Sequence, residues 1–263
     1  MIAAQGQIYL IDQGKEYFIH RFDSDFDKID NSFLEKGDGP NQFKNTPLVF
    51  TNSYNNFLNI IELSRNEVYQ LNIENGELEE LVALPESLGL INQAKNLGKN
   101  QIIGKAGNTN GNIFYYDFDN KTLKATEYTP ILTQSIKESD KKFVYNSFIE
   151  TNQKSGIVVE AMQYFDVFNF YDSNGDIINS IGSKEHQKFY EDNEGSFSGP
   201  NTKLHYVDVT GDENFCYALY LGKSTKAANS QFKSVDMIIR IFSWTGDYIN
   251  SFKLNKLCTS ITA

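Results

Sequence analysis

The sequence has few of the residues that mark linkers, disulfide frameworks or nucleic-acid binding. It contains 5 prolines among 263 residues, and no stretch rich in proline or in glycine and serine divides it, so we expect one domain over residues 1–263. Its 24 basic residues are outnumbered by 34 acidic ones. This balance excludes a general nucleic-acid binder, because such proteins place clustered lysine and arginine on phosphates. The two cysteines, Cys216 and Cys258, lie far apart in sequence and predict no particular disulfide.

Long apolar runs are also missing. No segment is long and apolar enough to predict a membrane span, and the first residues lack the charged region of a signal peptide. Helical patterns are short and rare. These absences leave strands and turns as the main structural elements of the chain.

Aromatic residues are abundant, at 14% of the chain, and they favour strands because flat, stiff side chains pack well on pleated surfaces. The clearest predicted hairpin is VFNFYDSNGDIINSIG, residues 167–182, where two alternating apolar runs meet at a turn that contains Asn and Gly. Similar patterns recur along the chain. We predict five such hairpins, with turn centres at Phe26, Gly76, Lys121, Gly175 and Gly246.

These turns recur about every 50 residues, a period typical of propeller blades. Two further strands are predicted before each later hairpin, for example LVFTNS and FLNIIEL before the second turn. Four antiparallel strands per unit predict an all-β propeller, in which the inner strands line a central channel. The chain has one tryptophan, Trp244, no Trp-Asp dipeptide and no Gly-Gly pair, so the WD40 and kelch types are excluded.

Residues 37–43, GDGPNQF, follow the first hairpin with the pattern G-x-G-P-x-x-F. This pattern resembles the TolB-like six-bladed propellers of Bacteroidetes, which are relatives of NHL-type propellers. The runs LPESLGLINQ, CYALYLGK and IIRIFSWTGDYINSFKL resemble the corresponding segments of that family. The resemblance implies a six-bladed, extracytoplasmic propeller with a lipoprotein anchor and an undefined ligand, and it supplies no catalytic residue.

Family members usually carry a lipoprotein signal and a complete sixth blade. Counting strands gives five complete blades and an incomplete sixth, with residues 258–263 in its inner-strand position. We therefore expect the 263 residues to be part of a longer protein. The alternative is a closed five-bladed ring in which residues 260–263 pair with the first blade.

Residues 37–43 are glycine-rich but lack the Lys-Ser/Thr ending of a phosphate-binding loop. We expect them to form a connector, with Phe43 filling the space between blades. The chain has three histidines, His20, His186 and His205. His20 has no acidic or histidine partner at ligand spacing, and His205 opens the run HYVDV, so ordinary strand positions explain both. We expect alanine at any of them to abolish no activity.

An enzyme remains an alternative interpretation. In a propeller lactonase or lyase, oxygen ligands from several inner strands hold a hard cation such as Ca²⁺ in the channel. Asn52, Asn146 and Asp208 are the candidates for such a site, although polar side chains at these positions also simply solvate the channel. Outside this alternative we predict no metal and no cofactor.

Residues 182–201 form an unusually long irregular segment for a compact domain. Its His186, Phe189, Tyr190 and Phe197 are candidates to contact a partner, and the alternative is that its aromatic residues pack back on the blade. We expect shortening of residues 184–195 to leave stability nearly unchanged.

Taken together, the sequence favours a non-enzymatic propeller that binds a carbohydrate, peptide or protein partner and no nucleic acid, with a membrane reached only through an anchor outside this sequence. The alternative function is a metal-dependent hydrolase or lyase that works in the central channel.

Overall fold

The structure is a computed structural model that describes residues 2–4, 6–13, 16–39, 42–52, 57–98, 100–126, 135–183, 187–230 and 236–262. Its strands form five four-stranded antiparallel sheets, in which strand order follows chain order. The first sheet contains β1 (Ile2–Ala4), β2 (Gln7–Ile11), β3 (Tyr17–Phe22) and β4 (Lys28–Glu35). The second contains β5 (Leu48–Asn52), β6 (Phe57–Glu62), β7 (Glu67–Asn72) and β8 (Leu78–Ala83).

The other three sheets repeat this arrangement. The third contains β9 (Ile91–Asn96), β10 (Gln101–Ala106), β11 (Ile113–Asp117) and β12 (Thr122–Ala125). The fourth contains β13 (Ser147–Asn152), β14 (Ile157–Met162), β15 (Val167–Tyr171) and β16 (Ile177–Gly182). The fifth contains β17 (Lys203–Gly211), β18 (Phe215–Ser224), β19 (Met237–Ser243) and β20 (Tyr248–Leu254).

Helices are short and lie in the connections between strands. They are α1 (Lys141–Val144), α2 (Phe189–Asp192), α3 (Thr225–Ser230) and the 3₁₀ turns Glu86–Leu88 and Glu138–Asp140. Within the described ranges, no helix is long and apolar enough to cross a membrane.

The first strand of each sheet contacts the first strand of the next, in the order β1, β5, β9, β13 and β17. We call these five the inner strands. Apolar cores fill the spaces between consecutive sheets; the core between the first and second sheets, for example, contains Ile19, Phe33, Leu58 and Leu71. This radial stacking of four-stranded sheets confirms the predicted all-β propeller.

The five predicted turn centres all lie between the third and fourth strands of their sheets. Each has a positive φ: 65° at Phe26, 77° at Gly76, 51° at Lys121, 81° at Gly175 and 96° at Gly246. A tight turn needs this backbone conformation, which glycine adopts without strain. The turn chemistry therefore identified the outer hairpin of every sheet.

The connector after the first sheet also matches expectation. Phe43 is 1% exposed and packs edge-on against Tyr69 of the second sheet, with ring centroids 5.4 Å apart. Gln42 shapes the turn, since its side-chain oxygen accepts a 2.8 Å hydrogen bond from the Gly39 N–H. The segment thus ties the first two sheets together.

Residues 255–262 run along the fifth sheet. The Ile261 N–H donates to the Asp208 carboxylate at 2.9 Å, and Leu257 and Ile261 pack against a core that includes Leu219 and Met237. The five-bladed alternative required residues 260–263 to pair with the first sheet. The described part of this segment makes its contacts with the fifth sheet instead.

Candidate functional site

The long segment between the fourth and fifth sheets begins its described part at residue 187. Phe189, on α2, is 0% exposed and lies in an apolar cluster with Val144, Met162 and Phe165. Its ring meets that of Phe165 edge-on at 5.6 Å. Phe189 is therefore a core residue, and its interpretation as a partner contact was wrong, because a fully buried ring has no surface to offer.

This burial also contradicts the expectation that residues 184–195 are dispensable for folding. Shortening them would remove Phe189 and leave a cavity among its neighbours. Candidate residue His186 lies outside the described residues.

Side-chain hydrogen bonds fix the rest of the segment. The Asn193 amide donates to the Phe189 carbonyl at 3.0 Å and to the Thr202 hydroxyl at 3.1 Å. The Gln187 amide donates to the Tyr164 carbonyl at 2.8 Å, and its oxygen accepts from the Lys203 N–H, also at 2.8 Å. The segment consequently holds a defined surface above the fourth sheet.

That surface carries aromatic rings, of which Phe143 is exposed and the others are half-buried. Phe143, on α1, is 48% exposed and stacks on Phe197, with centroids 5.7 Å apart and an interplanar angle of 8°. Tyr164 meets Phe197 edge-on at 6.4 Å, and Lys142 Nζ lies 5.0 Å from the Phe143 centroid. We call Phe143, Tyr164, Tyr190 and Phe197 the aromatic face.

Tyr190 anchors the face to the preceding 3₁₀ turn. Its hydroxyl donates to Asp140 at 2.8 Å and accepts from the Lys137 N–H at 3.0 Å. Burial, together with the neighbouring Asp140 carboxylate, raises the pKa of Tyr190, so the phenol keeps the proton that it donates. Sequence reasoning identified Tyr190 and Phe197 but missed Phe143, because a phenylalanine beside two lysines on a short helix resembles an ordinary surface residue.

The channel candidates do not assemble into a site. Asn146 precedes β13 and donates to the Gln163 side chain at 2.7 Å, whereas Asp208 is the sixth residue of β17. Asp208 feels the charge of Glu150, which lies four residues after Asn146. Because strands rise about 3.3 Å per residue, Asn146 and Asp208 lie at different heights. The Asn52 side chain lies outside the described residues. Among the residues that the structure describes, no group of three or more His, Cys, Asp or Glu could hold a metal ion.

Asp208 has other neighbours. Its carboxylate accepts hydrogen bonds from the Val209 and Ile261 N–H groups, both at 2.9 Å. Burial raises the pKa of Asp208, partly opposed by these bonds and by the charge of Lys95. Lys95 itself pairs with Glu150 at 2.7 Å across two inner strands. Lys95 and Glu150 were not predicted as site residues, since charged residues on an inner strand have the same sequence pattern as those on an outer one.

The structure gives His20 an acidic neighbour that its sequence context did not show. Its Nε2 lies 3.7 Å from Asp12 on the adjacent strand connection, and its Nδ1 lies 3.0 Å from the Ser32 hydroxyl. His205 Nδ1 lies 3.4 Å from the Tyr220 hydroxyl. Strand pairing thus gives His20 an acidic neighbour that local spacing cannot reveal, and the effect of alanine at His20 stays a prediction.

A buried ion pair joins the third and fourth sheets. Lys105 Nζ lies 2.9 Å from Glu160, and their side chains are 3% and 5% exposed. The carboxylate also accepts from the Ser147 hydroxyl (2.6 Å), the Tyr171 hydroxyl (2.7 Å) and the Asn169 amide (3.1 Å). Burial opposes ionisation, but the Lys105 charge and these donors hold the pKa of Glu160 below its usual value. Because its two charges are enclosed and paired with each other, the network serves to join the two sheets.

The chain matches the family described as TolB-like 6-blade propeller-like over residues 1–263. The chain belongs to this family. The family is six-bladed, and the described residues of this TolB-like propeller form five four-stranded sheets. The resemblance inferred from residues 37–43 and the later motifs is thereby confirmed.

Solved structures share the propeller fold. A member of the DUF4221 family from Bacteroides vulgatus is 13% identical with a TM-score of 0.59, over 97% of this chain and 82% of that one. A streptogramin B lyase is 13% identical with a TM-score of 0.54, over 100% and 71%. Apo AztD from Citrobacter koseri is 8% identical with a TM-score of 0.51 over 97% of this chain. This chain spans 59% of the length of AztD. At such identities the likeness concerns the fold alone.

Comparison with curated protein sequences gives no match.

Proposed function

We propose that this TolB-like propeller is a non-enzymatic binding protein whose aromatic face holds a carbohydrate, peptide or protein partner. The observation that carries the proposal is the exposure of Phe143, 48%, in a ring that is nonetheless fixed by stacking on Phe197. Aromatic side chains offer a large contact area at low cost in conformational entropy, and they are enriched where proteins bind partners.

The surroundings of the face support this function. Phe189 and the hydrogen bonds of Asn193 hold the segment beneath Phe197 before any partner arrives. Binding to a surface that is already ordered avoids part of the entropic cost of fixing loops and side chains. Lys137 and Lys142, which lie over the rings of Tyr190 and Phe143, add polar donors at the rim.

Affinity electrophoresis in gels that contain soluble polysaccharides, together with a peptide array, tests the proposal. We expect Phe143→Ala to abolish retention of the protein by the probe that retards the wild type, with unchanged unfolding. Phe252→Ala on β20 is the matched control, since that ring is 54% exposed on a different sheet. Equal weakening by both variants, or a wild type that binds neither kind of probe, would contradict the proposal.

The second candidate, a metal-dependent hydrolase or lyase, rests on the charged residues of the inner strands. Lys95, Glu150 and Asp208 come from three neighbouring inner strands. We do not favour it, because Asn146 and Asp208 lie at different heights. Metal analysis of purified protein distinguishes the two functions: near-stoichiometric Ca²⁺ or Zn²⁺ would favour the enzyme.

We also propose an extracytoplasmic location, which TolB-like propellers often have. Fractionation of cells that express the full-length natural protein tests this, and recovery in the cytoplasmic fraction would contradict it.

A further inference from the structure

A second surface site lies between the fourth and fifth sheets, where Arg240 of β19 meets the turn after β14. Arg240 Nη1 donates to Asp166 at 2.8 Å and to the Tyr206 hydroxyl at 2.9 Å. Its guanidinium lies over the Tyr220 ring, with Cζ 3.4 Å from the ring centroid. The guanidinium is thus held on one edge and on one face.

Another edge of the guanidinium makes no hydrogen bond to the described residues. An arginine has five N–H donors, and the two on Nη1 are occupied by Asp166 and Tyr206. In the part of the chain that the structure describes, Nε and Nη2 make no hydrogen bond, and neither is among the enclosed polar atoms that lack partners. The side chain is 25% exposed, so solvent reaches this edge.

We infer that the Nε and Nη2 edge of Arg240 binds a carboxylate group of a small ligand. The two N–H bonds on this edge are parallel, and their spacing matches the two oxygens of a carboxylate in a bidentate pair. Stacking on Tyr220 and the bond to Asp166 fix the fork in advance, so little side-chain entropy is lost when the ligand binds.

The local charge favours a monoanion. Asp166 already offsets the charge of Arg240, so a dianionic phosphate would be repelled by the Asp166 carboxylate more strongly than a monoanion. A planar carboxylate carries one charge and uses both donors. The site adjoins the aromatic face through the turn of residues 163–166, but the inference does not depend on the function proposed for that face.

The chain contains three arginines, Arg21, Arg65 and Arg240, which permits a direct test. In protein labelled with ¹⁵N-arginine, the Nε–H signal of Arg240, assigned by its loss in Arg240→Lys, is followed during titration. The probes form two matched pairs: galacturonate with galactose, and N-acetylalanine with its amide. Arg65 is the reference for non-specific effects, because its side chain is 46% exposed.

We expect at least one carboxylate probe to shift the Arg240 signal saturably before Arg65 responds, and its neutral counterpart to have no effect. The pair that responds more strongly indicates whether the carboxylate belongs to a sugar acid or to a peptide end. By calorimetry, Arg240→Lys should lose this binding, because lysine keeps the charge but lacks the fork.

Three results would overturn the inference: equal shifts with the neutral probes, no Arg240 shift before Arg65 responds, or a stronger response to inorganic phosphate. Phe143→Ala should leave the Arg240 shift unchanged. This control separates failure of the carboxylate site from failure of the aromatic face.

Discussion

Two of the ion pairs between neighbouring sheets of this propeller differ chiefly in burial. Lys105 and Glu160, between the third and fourth sheets, are 3% and 5% exposed. Arg240 and Asp166, between the fourth and fifth, are 25% and 24% exposed. The Glu160 carboxylate accepts hydrogen bonds from Lys105, Ser147, Asn169 and Tyr171, whereas Arg240 keeps an edge toward solvent. An ion pair therefore stabilises the interface between the third and fourth sheets, whereas the pair between the fourth and fifth sheets leaves N–H donors available to a ligand.

The largest expected effect comes from breaking the buried pair. Glu160→Gln would leave the Lys105 charge enclosed without its counter-charge, and we expect it to lower the free energy of unfolding by about 3–5 kcal/mol. Chemical denaturation at neutral pH measures this loss. A loss below about 1 kcal/mol, the size typical of exposed pairs, would remove the contrast between the two interfaces.

Two controls accompany this variant. The double variant Lys105→Met with Glu160→Gln should recover part of the loss, because it removes the unpaired charge. Asp176→Asn breaks an ion pair with Lys124 between the same two sheets, with side chains 56% and 74% exposed. It should change stability by less than about 1 kcal/mol.

A similar contrast exists within the segment that supports the aromatic face. Phe189 is fully buried, whereas Phe143 is half exposed. We expect Phe189→Ala to lower the free energy of unfolding by about 3 kcal/mol, because it leaves a cavity beside Phe165. Chemical denaturation of Phe189→Ala and Phe143→Ala measures the difference between their free energies of unfolding. A Phe189→Ala variant as stable as the wild type would instead support the prediction that residues 184–195 are dispensable for folding.

The pH dependence gives a third, smaller effect. The pKa of Glu160 is lower in the folded protein than its ordinary value of 4.5, so its contribution is complete above that pH and is lost as the pH falls through the folded pKa. The stability difference between wild type and Glu160→Gln should be constant above about pH 4.5 and shrink below it. Unfolding measured from pH 7 to pH 3 checks this. A difference that grows on acidification would reverse the assigned sign.

Asp208 provides the opposite case. Burial raises its pKa, so the folded state binds its proton more readily than the unfolded chain. Its charge therefore costs stability above the folded pKa, and acidification toward the ordinary value of 3.8 relieves that cost. The Asp208 carboxyl therefore lowers the free energy of unfolding as the pH rises, whereas Glu160 increases it. Asp208→Asn should remove the Asp208 contribution.

The parts of the fold that local chemistry determines could be predicted from the sequence. Residue type predicts the turns at Gly76, Gly175 and Gly246, and the alternating apolar runs beside them predict the strands. Contacts between sheets gave no such signal. Asp166 and Arg240 lie 74 positions apart, and nothing near either residue indicates that the fourth and fifth sheets bring them together.

The same limit explains the misjudged long segment. Its polar composition is typical of a solvated loop, and the burial of Phe189 depends on Val144 and Phe165, which come from a different connection. Tyr190 and Phe197 were identified because aromatic residues are conspicuous among charges. Phe143 became visible only when stacking placed it on Phe197.

The smallest expected effect is also the one that tests the comparison most directly. Arg240→Gln removes the charge and the stacking on Tyr220, but Asp166 is 24% exposed and stays hydrated. We expect the free energy of unfolding to fall by only about 1 kcal/mol, since a solvated carboxylate loses little when its partner is removed. Binding of the carboxylate probe should nevertheless disappear. Chemical denaturation and probe titration on the same sample separate the two effects. A loss of stability as large as that of Glu160→Gln would contradict the comparison. It would show that the charge of Arg240 stabilises the interface between the fourth and fifth sheets, as that of Glu160 does between the third and fourth.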